Sequence, residues 1–158
     1  MGSVRPWARA GTTFRLYLPA AAEGAFPAGE VPAAAPAAGS ETVLIVEDEP
    51  QVRRLARRAL ERRGYTVLEA GDGAEALAVS DGRHAPIDLV LADAVLPEQG
   101  GRQVVDALRA RRPGIAALFM SGYAEDAVVR QRVSAAGAAF VQKPFTADQL
   151  AAAVRAAL

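Results

Sequence analysis

From residue 41 onward the chain alternates between two hydrophobic rhythms. The segments 42–46 (TVLIV), 89–92 (LVLA) and 115–120 (IAALFM) are continuous apolar runs, too short for a buried helix and of strand length. Between them, apolar residues return every three or four positions. Val52, Leu55, Ala56, Ala59 and Leu60 define one helical face, with Arg53, Arg54, Arg57, Arg58 and Arg62 opposite. Gly64 is placed to end that helix. Residues 65–68 form a short strand. Asp72 caps a second helix with Glu75 three positions on, a capping-box spacing. A third helix covers 101–111 and stops before Pro113. A fourth covers 124–136 and closes at Gly137. A fifth strand covers 138–141, and Thr146 with Gln149 caps a last helix that runs to Leu158. Five strand–helix pairs, with strands apolar on both faces, predict an α/β fold. Its sheet is parallel and covered by helices on both sides, with right-handed crossovers.

The rhythm is absent before residue 41. Residues 20–40 are mostly Ala, Pro, Gly and Glu, with Phe26 and Val31 the only sizeable apolar side chains. Such a segment cannot offset the entropy of ordering and reads as a linker. The expected organisation is a short piece over 1–19, a linker over 20–40 and one domain over 41–158.

Composition narrows the chemistry. The chain has 158 residues, with 18 basic and 18 acidic side chains and no net charge. That balance argues against a nucleic-acid or anionic-membrane surface as its main business. Cysteine is absent and His84 is the only histidine, so thiolate chemistry and multi-histidine metal sites are excluded. His84 lies between Arg83 and Pro86 in a loop and reads as solvated. No apolar run reaches membrane-spanning length, residues 1–11 carry no apolar stretch like that of a signal peptide, and a cytoplasmic location is the default expectation. Lys143 is the only lysine; the other basic residues are arginine. A lysine kept in so arginine-rich a chain can mark a place where a compact ammonium is needed, although chance alone produces such a count too.

The polar residues at the strand ends carry the functional signal. The first strand ends in Glu47 and Asp48, the third in Asp93, the fourth in Ser121, and the fifth in Gln142 and Lys143. In an open parallel sheet these ends share one edge, where ligand sites form. Taken singly, each has a plain structural reading: helix-dipole acids, turn residues, a surface lysine. Together they bring carboxylates, a hydroxyl and an ammonium to one place. Clustered carboxylates repel unless a cation neutralises them, and all-oxygen donors suit a hard ion such as Mg²⁺. An ammonium suits phosphoryl oxygens, and a carboxylate can attack phosphorus. The set fits phosphoryl transfer onto a carboxylate.

The segments VLIVEDE (43–49), DLVLADAVLPEQGG (88–101), LFMSGYA (118–124) and FVQKPF (140–145) together resemble the receiver domains of bacterial response regulators and hybrid histidine kinases. The resemblance implies a flavodoxin-like fold with strand order 2-1-3-4-5 and five helices in three layers. It implies Mg²⁺ (or Mn²⁺) held by Glu47, Asp48, Asp93 and the backbone carbonyl of Val95. It makes Asp93 the phospho-acceptor, Lys143 the phosphoryl contact and Ser121 the switch hydroxyl. Pro97 and Gly101 match the turn after the acceptor strand, and the Lys143–Pro144 bond is expected to be cis. Phe140 stands where many members carry a switch tyrosine, so it can rotate but cannot donate a hydroxyl hydrogen bond. Val95 and Tyr123 hold the two rate-tuning positions. Neither orients water, so slow hydrolysis of the aspartyl phosphate is expected. The phosphodonor would be a histidine kinase or a histidine phosphotransfer protein. The output would be a changed face on the fourth helix, fifth strand and fifth helix, read by a downstream protein.

GTTFRLYLP (11–19) resembles the last strand of a histidine-kinase ATP-binding domain. Followed by a linker and a receiver, it implies the C-terminal part of a hybrid sensor kinase. No ATP-dependent kinase activity is expected of this chain, only self-catalysed phosphorylation and dephosphorylation at Asp93. No nucleic-acid partner is expected, since charge is balanced and the sequence leaves no room for an output domain after the last helix, and no membrane insertion is expected, since no apolar run is long enough. A phosphorylation-independent interaction module is the alternative. A haloacid-dehalogenase type phosphatase would need a second Asp where Val95 stands.

Overall fold

The apolar runs become the centre of a five-stranded parallel sheet. The computed structural model describes residues 39–97, 100–122 and 139–158, all within a compact unit spanning residues 34–158. The strands are β1 (Thr42–Val46), β2 (Thr66–Ala70), β3 (Leu89–Asp93), β4 (Ala116–Ser121) and β5 (Ala139–Gln142), in the order β2-β1-β3-β4-β5. The helices are α1 (Pro50–Glu61), α2 (Gly73–Asp81), α3 (Gly101–Arg111) and α4 (Ala147–Ala157). The helix expected over 124–136 lies outside the described residues. The flavodoxin-like fold and strand order are therefore as the sequence implied. Among the described residues, no helix is long and apolar enough to cross a membrane.

Side-chain alternation sorts the sheet into two cores. Leu44 and Val46 of β1, Val90 and Ala92 of β3 and Phe119 of β4 pack with Ala76 of α2 and with Val104, Val105 and Leu108 of α3. Val43 and Ile45, Leu89 and Leu91, and Leu118 and Met120 pack with Ala56 and Leu60 of α1 and with Leu150 and Val154 of α4. Every residue of β1 and β3 is buried, as central strands between two helical layers must be. The edge strands β2 and β5 keep exposed positions.

Local signals set the element ends. Gly64 has φ +89°, the left-handed region that favours glycine. Its N–H donates to Glu61 O and that of Tyr65 to Leu60 O, the bond pair of a Schellman ending. Tyr65, expected to open β2, is buried against this turn, and the strand starts at Thr66 instead. Asp72 accepts from Glu75 N, while Glu75 reaches back to Gly71 N. Thr146 and Gln149 form a reciprocal capping box on α4. Gly39 and Ser40, counted with the linker, already touch this unit: Gly39 is buried and its N–H donates to Arg63 O at 2.8 Å.

Candidate functional site

Parallel strands end together, and the side chains just past those ends converge. β1 continues its ladder one residue further, with Glu47 N–H donating to Ala70 O. Glu47 is thereby 1 % exposed, while Asp48 beside it is exposed. Pro50 then opens α1 at a position where no N–H is needed. Asp93 closes β3. Its Oδ1 accepts from Val95 N–H at 3.0 Å. Gly101, the first residue of α3, sits so close that a Cβ there would lie 1.8 Å from Asp93 O, so only glycine fits this turn.

Lys143 ties the set together. Its own N–H donates to Ser121 O at 2.7 Å, and its bond to Pro144 is cis. Its Nζ donates to Glu47 Oε2 at 2.5 Å and to Asp93 Oδ2 at 2.6 Å. Ligand oxygens of Glu47, Asp48 and Asp93 all lie within 4.8 Å of one another. Two carboxylates thus share one ammonium, with the exposed Asp48 close to both. Burial pushes the Glu47 carboxyl above the usual carboxylate range, against the pull of Lys143. Burial also pulls the Lys143 ammonium down, but its hydrogen bonds to Asp93 and Glu47 outweigh that and hold it above the ordinary lysine value. Oxygen-only donors with excess negative charge fit a hard divalent cation.

Ser121 ends β4 fully buried, and its Oγ has no hydrogen-bond partner among the described residues. Such a hydroxyl is costly to leave unpaired. Phe140 is half-buried and packs on Phe119, with ring centroids 5.7 Å apart. Val95 is 56 % exposed, directly beside the Asp93 carboxylate. Tyr123 lies outside the described residues. His84 is exposed in the α2–β3 loop.

The helical pattern placed Arg53 on the polar face of α1 and nothing more. In the fold its Nη1 donates to Glu47 O at 2.5 Å and to Asp48 O at 3.4 Å. Its Nε lies 3.8 Å from Glu69 Oε1 on β2. The cue, an arginine one turn into the helix after an acidic pair, has meaning only once the loop path is known.

Sequence and structure comparisons agree with this fold. Residues 43–155 match the response regulator receiver domain, and the chain belongs to that family. It is 42 % identical over 153 residues to the sensor kinase CckA of Brucella abortus, covering 92 % of this chain and 16 % of that protein. It is 35 % identical to the probable transcriptional regulatory protein TcrX of Mycobacterium tuberculosis, covering 74 % of this chain and 49 % of that one. Against both, the chain spans about half of the relative's length or less. The receiver domain from the hybrid histidine kinase CckA superposes with a TM-score of 0.61 at 32 % identity, covering 74 % of this chain and 98 % of that domain. Chemotaxis protein CheY4 of Vibrio cholerae gives 0.67 at 28 % identity, covering 76 % and 100 %. Response regulator TrrA of Thermotoga maritima gives 0.64 at 28 % identity, covering 75 % and 99 %.

Proposed function

We propose that this receiver domain accepts a phosphoryl group on Asp93 in a Mg²⁺-dependent reaction. The observation that carries this is the Lys143 ammonium bridging Asp93 and Glu47 beside Asp48. The Asp93 carboxylate attacks the phosphorus of a phosphohistidine; the P–O bond forms, the P–N bond breaks, and the imidazole leaves with the electron pair. Lys143 contacts a phosphoryl oxygen. Ser121, whose buried hydroxyl has no partner among the described residues, turns toward another. Glu47, Asp48, Asp93 and the carbonyl of Val95 would hold Mg²⁺ (or Mn²⁺), whose charge offsets that of the carboxylates and phosphoryl oxygens. TrrA, a structural relative, was crystallised in complex with Mg²⁺ and BeF, which supports this assignment.

Phosphorylation adds up to about two negative charges at Asp93. Ser121 and Phe140 then carry the change to β5, α4 and the segment 124–136, where a downstream protein reads it. The donor is a histidine kinase or a phosphotransfer protein.

The likeness to CckA extends beyond the receiver, over 92 % of this chain. That supports a hybrid-kinase origin, with 1–19 the end of an ATP-binding domain and 20–40 a linker. Reading the DNA upstream of Met1 tests it: in-frame kinase motifs are expected, and their absence counts against the origin.

The central test is incubation with Mg²⁺ and acetyl phosphate, followed by intact mass. One phosphoryl adduct is expected on the wild type and none on Asp93→Ala. No adduct on the wild type, or an undiminished adduct on the variant, defeats the proposal.

A further inference from the structure

Arg53 is not one of the converging groups, yet it holds the turn that carries two of them. The β1–α1 turn has few other ties. Glu47 N–H stays in the ladder, Glu49 N–H donates to Glu47 Oε1 at 3.3 Å, and Arg53 N–H donates to Glu49 O as α1 begins. The carbonyls of Glu47 and Asp48 both accept from Arg53 Nη1. The guanidinium is itself held from β2, where Glu69 Oε1 faces its Nε and Glu69 Oε2 accepts from Arg57 Nη1 at 2.7 Å. Glu69 pairs in register with Ile45 of β1, so the brace runs from one strand of the sheet to the end of the next.

Two effects of Arg53 on a bound cation have opposite signs. As a charge it opposes a divalent ion nearby. As a brace it favours the ion, because it takes only backbone carbonyls and makes no bond to the carboxylates of Glu47 and Asp48. Glu69, shared with Arg57, offsets part of the guanidinium charge, and the sign of the affinity change in Arg53→Ala tells which effect wins. A planar fork can meet two carbonyls and a carboxylate at once; a lysine in the same place meets fewer.

We infer that Arg53 is a positioning residue that fixes the Glu47–Asp48 turn in its cation-binding arrangement, an inference that rests on the metal-site reading above. Groups behind metal ligands commonly contribute about 10- to 100-fold to affinity. The test is direct Mn²⁺ binding to the full chain, followed by electron paramagnetic resonance without any phosphodonor. Wild type, Arg53→Ala, Arg53→Lys, Arg53→Gln and Arg54→Ala are compared, with circular dichroism confirming that each is folded. Arg54 is exposed on the same helix, and its loss removes the same charge without touching the turn. Arg53→Ala is expected to weaken binding about tenfold or more, Arg53→Lys by less, and Arg54→Ala by under about twofold. A weakening under about threefold for Arg53→Ala, a tightening, or an equal loss in Arg54→Ala overturns the inference. Should Arg53→Ala not fold, Arg53→Gln is judged by the same threshold. A wild type that binds no Mn²⁺ defeats the metal-site reading and this inference with it; a wild type that binds while Arg53→Ala binds equally defeats this inference alone.

Discussion

The two oxygens of Asp93 keep different company. Oδ1 takes the Val95 N–H and Oδ2 the Lys143 ammonium. Val95 follows Asp93 by two residues, is exposed, and has no side-chain group that could orient a water. The aspartyl phosphate should therefore be long-lived, and Val95→Asn should shorten its lifetime. Loss of the adduct mass over time measures both, and a wild-type lifetime of seconds would sink the idea. Glu47 sets a second expectation. Its folded pKa is raised above the unfolded value by burial, so the folded state holds the proton more tightly. The contribution of Glu47 to stability without metal should then be fully present below its unfolded pKa and be lost as pH rises through the folded one. Denaturant titrations in EDTA across mildly acidic pH should show that slope, and Glu47→Gln should flatten it. At this scale, strand-end position made Glu47, Asp93, Ser121 and Lys143 legible from sequence alone. Arg53 was not legible, because helical periodicity gives the face a residue occupies but not how far its side chain reaches.

Among the described helices, α4 carries a reciprocal capping box. Thr146 Oγ1 accepts from Gln149 N–H, and the Gln149 side chain accepts from Thr146 N–H. Thr146→Ala should cost about 1 kcal/mol of stability, read from urea unfolding, without changing the adduct yield. The spacing of Thr146 and Gln149 announced this cap, as Asp72 and Glu75 announced the cap on α2. Strand limits were less legible. Tyr65 has strand propensity, but the glycine turn at Gly64 captures it in the α1–α4 core and delays β2 by one residue. The strand in turn runs on to Glu69 and Ala70, whose character says nothing of ladder pairing.

For the whole molecule, an all-apolar strand announces burial but not which residues face which helical layer. The two cores became assignable only when α1 with α4, and α2 with α3, were seen on opposite faces of the sheet. The strand order likewise came through the family resemblance, since β1 and β3 are both apolar throughout and either could have been central. The domain's start is sharper in three dimensions than in composition. Gly39 lies against Tyr65, so close that a Cβ there would meet the ring, and its N–H is bonded to Arg63 O. A chain begun at Glu41 should therefore be less stable than one begun at Ala34, by about 1 kcal/mol for the lost hydrogen bond alone. Equal melting temperatures for the two would place the boundary after Ser40.

The single lysine has one more consequence. Amine-directed chemistry on this chain can reach only the amino terminus and the side chain that bridges Asp93 and Glu47. Reductive monomethylation with ¹³C-formaldehyde keeps the positive charge and two N–H donors, one for each carboxylate, and would give a spectrum with one internal resonance. That resonance would belong to Nζ of Lys143, so a single nuclear magnetic resonance line would follow metal binding and phosphoryl arrival at the site in real time, without isotopic labelling of the backbone.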